Sequence, residues 1–199
     1  FVRPRQSQFV TFLGRWWAAL AVVPLIVLPL TALAVRSLLI ATETYPSAPA
    51  ERGAPDVLCD ARELATHAAE SYDAIYCSHN LEHYYAHDVP RVLKGFLHVL
   101  RPDGFAEVRV PDIGALMRTV VARNLDLTDV LYVAKAGPIL VRDVIYGYGR
   151  EIESSGQDFY AHKTGFTTAS LRQALAAAGF RHLLTANSEL EIRVVALKG

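Results

Sequence analysis

Between Tyr72 and Asp88 the chain reads YDAIYCSHNLEHYYAHD, and within it His79, Glu82 and His83 form an H-x-x-E-H. On a helix this spacing turns two imidazoles and a carboxylate to one side, the way one class of zinc peptidases grips its metal. Imidazole also titrates near neutrality, so the same residues could orient a nucleophile or take its proton. A zinc peptidase needs the motif deep in a long helix, with a third ligand from another helix. Here the motif follows directly on an apolar, strand-like run, nothing downstream supplies that pattern, and His87 only extends the spacing. No metal is expected. The segment reads as the lip of a ligand site at a strand end, where open parallel sheets bind ligands, or more plainly as helix-start histidines on a solvated edge.

A second polar group lies downstream, where Tyr146, Tyr148, Tyr160, His162 and Lys163 stud a stretch ending at Phe166. It is too long for a mere connector and could face a substrate or form a solvated lid. Gly147-Tyr148-Gly149 lacks the preceding strand that a phosphate loop requires. Cys59 and Cys77 are too few for a disulfide framework and sit in apolar runs, so reduced core thiols are expected. Twenty basic and twenty acidic residues cancel, without a run of like charge, so no nucleic-acid partner is expected.

The positioning elements follow from periodicity. DVLCD, ending at Asp60, and YDAIYCS read as buried parallel strands, joined by a loop with one helical turn. Val89, Val92, Leu93, Phe96, Leu97 and Leu100 recur at helical spacing, which predicts an amphipathic helix over 89–100. RPDG then predicts a turn, and FAEVRVPD a third strand ended by Pro111. The stretch from Ile113 to Tyr146 has a mostly helical pattern. Thr168 is the expected cap of a helix through Ala178, stopped by Gly179. HLLTA and LEIRVVAL predict an antiparallel hairpin at a sheet edge. Strand, connection, strand, helix, strand is the grammar of an α/β fold with a parallel sheet.

The N-terminal part differs in kind. From Trp16 to Val35 no residue carries a charge, a length that spans a hydrocarbon core as a helix, with Arg15 and Arg36 as flanks. The expected organisation is an apolar, membrane-associating segment over 1–40, a linker over 41–55 and a globular domain over 56–199. A chain that begins with Phe1 is expected to be a fragment, a processed form or an unusual product.

Taken together, DARELATHAAESYDAIYCSHNLEH and VPRVLKGFLHVLRPDGFAEVRVPD resemble the second half of class I, Rossmann-like S-adenosylmethionine-dependent methyltransferases of the small-molecule "methyltransferase type 11" kind. The D-x-x-x-H-K-x-G-F ending at Phe166 is similar to a later segment of one branch. The resemblance implies S-adenosylmethionine as cofactor and a small-molecule substrate. It implies that Asp60 faces the adenine amino group with the Ala61 backbone beside it, that Cys77 and Ser78 line the cofactor edge, and that His79, His83 and His162 are candidate catalytic groups. The family's glycine-rich turn and following acidic residue have no counterpart, since Gly14 and Gly53 are the glycines before Asp56. The expectation is therefore a Rossmann-like methyltransferase sheet lacking its first strands, with an antiparallel C-terminal hairpin and an N-terminal apolar helix. Its activity would be impaired unless a partner chain completes the site. The alternative is a non-catalytic, membrane-associated scaffold.

Overall fold

The computed structural model describes residues 37–39, 59–135 and 137–199. Two units divide the chain, Phe1–Arg36 and Ser37–Gly199, and every described residue lies in the second. Among the described residues, the main sheet has five strands in the order β1-β2-β3-β7-β6. These are β1 (Ser37–Leu39), β2 (Tyr72–Ser78), β3 (Leu100–Pro111), β6 (His182–Asn187) and β7 (Glu191–Leu197). The strands β1, β2 and β3 run parallel, and β7 runs antiparallel to both β3 and β6. The C-terminal hairpin forms as expected, with β7 inside the sheet and β6 on its edge. Register brings Ser78 opposite Arg109 and Pro111 opposite Glu191. One edge of the sheet therefore gathers the carboxyl ends of β2 and β3 and the amino end of β7.

Alternation of side chains along a strand divides the sheet faces. Ile75 and Cys77, Ala106, Val108 and Val110, and Ile192, Val194 and Ala196 point into one core. Against them lies α1 (Val89–Val99), whose buried Val89, Val92, Leu93, Phe96 and Val99 recur at helical spacing, and α5 (Thr168–Ala178), which buries Leu171, Leu175 and Ala178. Full burial of a side chain of this size stabilises by about 1.5–3 kcal/mol, so this layer holds the site's framework. The 3-10 helix Ala61–Thr66 docks on α1 at Gly95, where a Cβ would come 2.9 Å from that of Leu64.

Several elements depart from expectation. Cys59 and Asp60 lie outside any strand, while the rest of DVLCD, residues 56–58, lies outside the described residues. RPDG is not a turn between elements. It is an irregularity within β3: from Tyr72↔Leu100 to Ala74↔Phe105 the register advances two residues on β2 and five on β3. Gly104 allows it, since a Cβ there would sit 2.9 Å from the Asp73 carbonyl. The stretch from Ile113 to Tyr146 holds α2 (Ile113–Arg123), an antiparallel pair β4 (Val130–Ala134) and β5 (Gly137–Leu140), and α3 (Val141–Tyr146). Leu116, Leu131, Val141 and Val144 form a second apolar core there. The stretch read as a long loop contains α4 (Gly149–Ser155) and a 3-10 helix, Asp158–Tyr160. The cap of α5 is Thr167 rather than Thr168, because its hydroxyl accepts from the Ser170 N–H at 3.2 Å. The charge-free run from Trp16 to Val35 and the linker over 41–55 lie outside the described residues. Among those described, no helix is long and apolar enough to cross a membrane.

Candidate active site

The H-x-x-E-H is not a stretch of long helix. Ser78 ends β2, His79 turns the chain with a left-handed φ of 49°, and Leu81–His83 forms a single 3-10 turn. A left-handed non-glycine residue is costly backbone, and such residues cluster at functional sites. Pairing holds it: the His79 N–H donates to the Arg109 carbonyl at 3.0 Å. The His79 ring then lies between two carboxylates, with Nδ1 3.4 Å from Glu82 Oε1 and Nε2 3.1 Å from Glu191 Oε2. Contact with Glu82 raises the His79 pKa above its ordinary value; burial works against this, and the charges of Glu82 and Glu191 add to the rise.

Glu82 is 1% exposed, and neither carboxylate oxygen has a hydrogen-bond partner. His83 and His162 flank it. A donor atom from each of the three lies within 4.8 Å of the others. His83 Nδ1 is 3.1 Å from the Ala161 carbonyl and His162 Nδ1 is 3.0 Å from the Val144 carbonyl. A carbonyl accepts only, so both Nδ1 atoms carry the proton and both Nε2 lone pairs are left available. The rings meet edge to face at 5.0 Å. Burial lowers the His162 pKa, against the opposing pull of Glu82, so its imidazole favours the neutral form.

The approach of residue 162 is built by backbone. Lys163 and Thr164 N–H groups donate to the Glu82 carbonyl at 2.8 and 3.1 Å. Gly147, at φ +96°, bridges Ala161, and a Cβ there would meet the Tyr160 carbonyl at 2.0 Å.

Asp60 caps the 3-10 helix that follows it. Its Oδ1 accepts from the Arg62 N–H at 2.9 Å, and its Oδ2 from Arg62 Nη2 at 2.6 Å and Nε at 3.0 Å. Burial alone would raise its pKa, but these bonds and the charges of Arg62 and Arg91 outweigh that and hold it below the usual carboxylate range. Ala61 is buried. Its backbone hydrogen-bonds the phenol of Tyr84, the residue directly after the H-x-x-E-H; burial first, then the charge of Asp60, raises the Tyr84 pKa, while that bond lowers it. The Arg62 guanidinium lies 6.0 Å from the centre of the Tyr84 ring and 3.6 Å from Asp88. Asp60, Ala61 and the lip beyond β2 thus meet through Arg62 and Tyr84.

Cys77 is fully buried, with its thiol pKa pushed well up by burial and further by the charge of Glu82. It faces the core, so of the pair assigned to the cofactor edge only Ser78 reaches the half-buried face. Tyr146 is exposed, and Lys163 Nζ sits 5.5 Å from the Tyr85 ring centre rather than reaching the histidines. Glu191, Arg62 and Tyr84 carry no site role in the sequence, and Glu82 carries one only as the carboxylate of the metal pattern set aside there. Glu82 and Tyr84 stood in or beside the motif; Glu191 had no signal, because only the β3–β7 register brings it to His79.

Residues 29–108 match the family model of a methyltransferase domain. This stretch contains Asp60, Ala61, β2 and the H-x-x-E-H, and it reaches back past Asp56 to include β1. The chain is thus similar to class I S-adenosylmethionine-dependent methyltransferases of the type 11 kind, as its motifs implied. No curated protein matches the chain. Among solved structures, it resembles an S-adenosylmethionine-dependent methyltransferase from Thermotoga maritima at 17% identity and a TM-score of 0.46, over 75% of this chain and 67% of that one. A second from Archaeoglobus fulgidus gives 14% identity and a TM-score of 0.44, over 71% and 66%. The 1,6-didemethyltoxoflavin-N1-methyltransferase of Burkholderia thailandensis, solved with its namesake ligand and S-adenosylhomocysteine, gives 19% and 0.40, over 71% and 49%. The chain spans less than two thirds of the length of the first solved structures it matches.

Proposed function

We propose that this chain binds S-adenosylmethionine at the carboxyl edge of β2 and is a homologue of enzymes that transfer its methyl group to a small molecule. The observation that carries the reading is the junction of the Asp60–Ala61 turn with the lip at Tyr84, made by Arg62, which binds Asp60 at 2.6 Å and lies 6.0 Å from the Tyr84 ring centre. Asp60 fits the nucleoside end. It is a partly exposed carboxylate held ionised by Arg62, and its two oxygens retain acceptor capacity for an exocyclic amine beyond the three bonds to Arg62. Ala61 and Ser78 would flank the ligand. The Cys77 thiol supports the wall from the core side.

When bound, the cofactor supplies an electrophilic methyl carbon. The chain's own residues hold the nucleophile in line and receive the proton it loses. His79, His83 and His162 are the candidates, and they differ: the carboxylates of Glu82 and Glu191 favour the protonated form of His79, while burial favours the neutral, proton-accepting form of His162. The glycine-poor text before Asp56, with Gly14 and Gly53 only, favours slow turnover by this chain alone. Calorimetric titration with S-adenosylhomocysteine tests the reading. Micromolar binding that Asp60→Ala abolishes supports it; no binding by folded protein overturns it and leaves a non-catalytic role.

A further inference from the structure

We propose that Glu82, His83 and His162 form a binding site for one divalent transition-metal cation of the zinc class. Each residue contributes one donor, and the three donor atoms lie within 4.8 Å of one another. Nitrogen and carboxylate oxygen at this count are what zinc takes when a fourth position is left for water or substrate.

Two independent features point to a cation. The Glu82 carboxylate is 1% exposed, and both its oxygens lack a hydrogen-bond partner, although its backbone carbonyl takes the N–H groups of Lys163 and Thr164. A buried carboxylate with both oxygens free of hydrogen bonds has room to take a cation, and the His79 ring, 3.4 Å from Oε1, is the positive group nearest to it. The two imidazoles are also oriented as metal ligands are. Each donates its Nδ1 proton to a main-chain carbonyl, Ala161 for His83 and Val144 for His162, which fixes the tautomer and leaves the Nε2 lone pair available. His79, with Nδ1 3.4 Å from Glu82 Oε1, stands behind the carboxylate as an outer partner. The H-x-x-E-H alone lacked a third ligand; the chain supplies it from the segment after the 3-10 helix Asp158–Tyr160.

The three donors lie in and beside the lip after β2, and neither Asp60 nor Ala61 is among them.

The full chain, stripped with a chelator, is titrated with Zn2+ by calorimetry and with Co2+ by visible absorption. One equivalent binds, and Co2+ gives the intense d–d bands of a four- or five-coordinate site. His162→Ala, which alters a half-buried ring and is checked for fold by circular dichroism, weakens binding by more than about 100-fold, beyond what loss of an outer partner costs; His79→Ala weakens it by about 10–100-fold at most. Asp60→Ala leaves the zinc isotherm unchanged, so failure of the cofactor reading would leave this result standing. Substoichiometric binding by folded wild-type protein overturns the proposal. So does full binding by His162→Ala, or a loss in His79→Ala as large as in His162→Ala.

Discussion

His79 and Glu191 meet at 3.1 Å although 112 residues separate them. The contact exists because β7 returns antiparallel beside β3, which sets Glu191 next to the carboxyl end of the strand that pairs with β2. It closes a small electrostatic circuit. Glu82 approaches one ring nitrogen of His79 and Glu191 the other.

The His79 resonance should therefore titrate above the ordinary histidine range, first because of Glu82 and then Glu191. Its contribution to stability is fully present below the unfolded-state value and is lost as pH rises through the raised folded value. NMR titration of Glu191→Gln should show the His79 pKa moving down. An unchanged value would mean that the β7 carboxylate does not act on it.

Asp60→Ala removes a helix cap and the partner of Arg62. Loss of the cap should cost about 1 kcal/mol in urea unfolding at neutral pH. Because the folded pKa of Asp60 is depressed, its contribution is present above the unfolded carboxylate value and lost as pH falls through the folded one. The gap between wild type and mutant should shrink in acid. A constant gap would show that the charge of Asp60 is not what Arg62 holds.

Gly147→Ala places a Cβ 2.0 Å from the Tyr160 carbonyl at a φ of +96°. The expected loss is at least about 2 kcal/mol. The histidine group should suffer with it, since the bridge to Ala161 positions both the carbonyl that fixes His83 and the ring of His162. Thermal melting and His162 chemical shifts report the two effects; a wild-type melt would contradict the backbone clamp.

The thiols should separate cleanly. Cys77 is fully buried with a strongly raised pKa, whereas Cys59 is partly exposed with a pKa raised chiefly by burial and then by Asp60. A thiol-specific reagent should label Cys59 slowly and reach Cys77 only on unfolding. Labelling of both in native protein would refute the packing of β2 against α1.

What could be read in advance was whatever one element dictates. The apolar run YDAIYCS, the stripe on α1 and the two terminal strands are local patterns, and they appear where expected. The β4–β5 pair escaped because VLYV and GPIL are short apolar runs inside a helical-looking stretch, where period alone does not separate strand from helix. RPDG carried real turn chemistry, but neighbouring β2 draws it into the strand as a bulge. At the site, the three histidines were legible by type and the place where they meet was not. Glu82 is the centre because the loop around residue 162 folds back onto its carbonyl, a contact no spacing announces.

The proposed binding of S-adenosylmethionine requires the Asp60 turn and the lip after β2 to act as one site. Amide chemical-shift mapping of the labelled chain on addition of S-adenosylhomocysteine tests it most directly. The account predicts saturable shifts at Asp60, Ala61 and Arg62 together with Ser78, His79 and Tyr84. Shifts in only one of these groups, shifts confined to other parts of the chain, or none at all would contradict it.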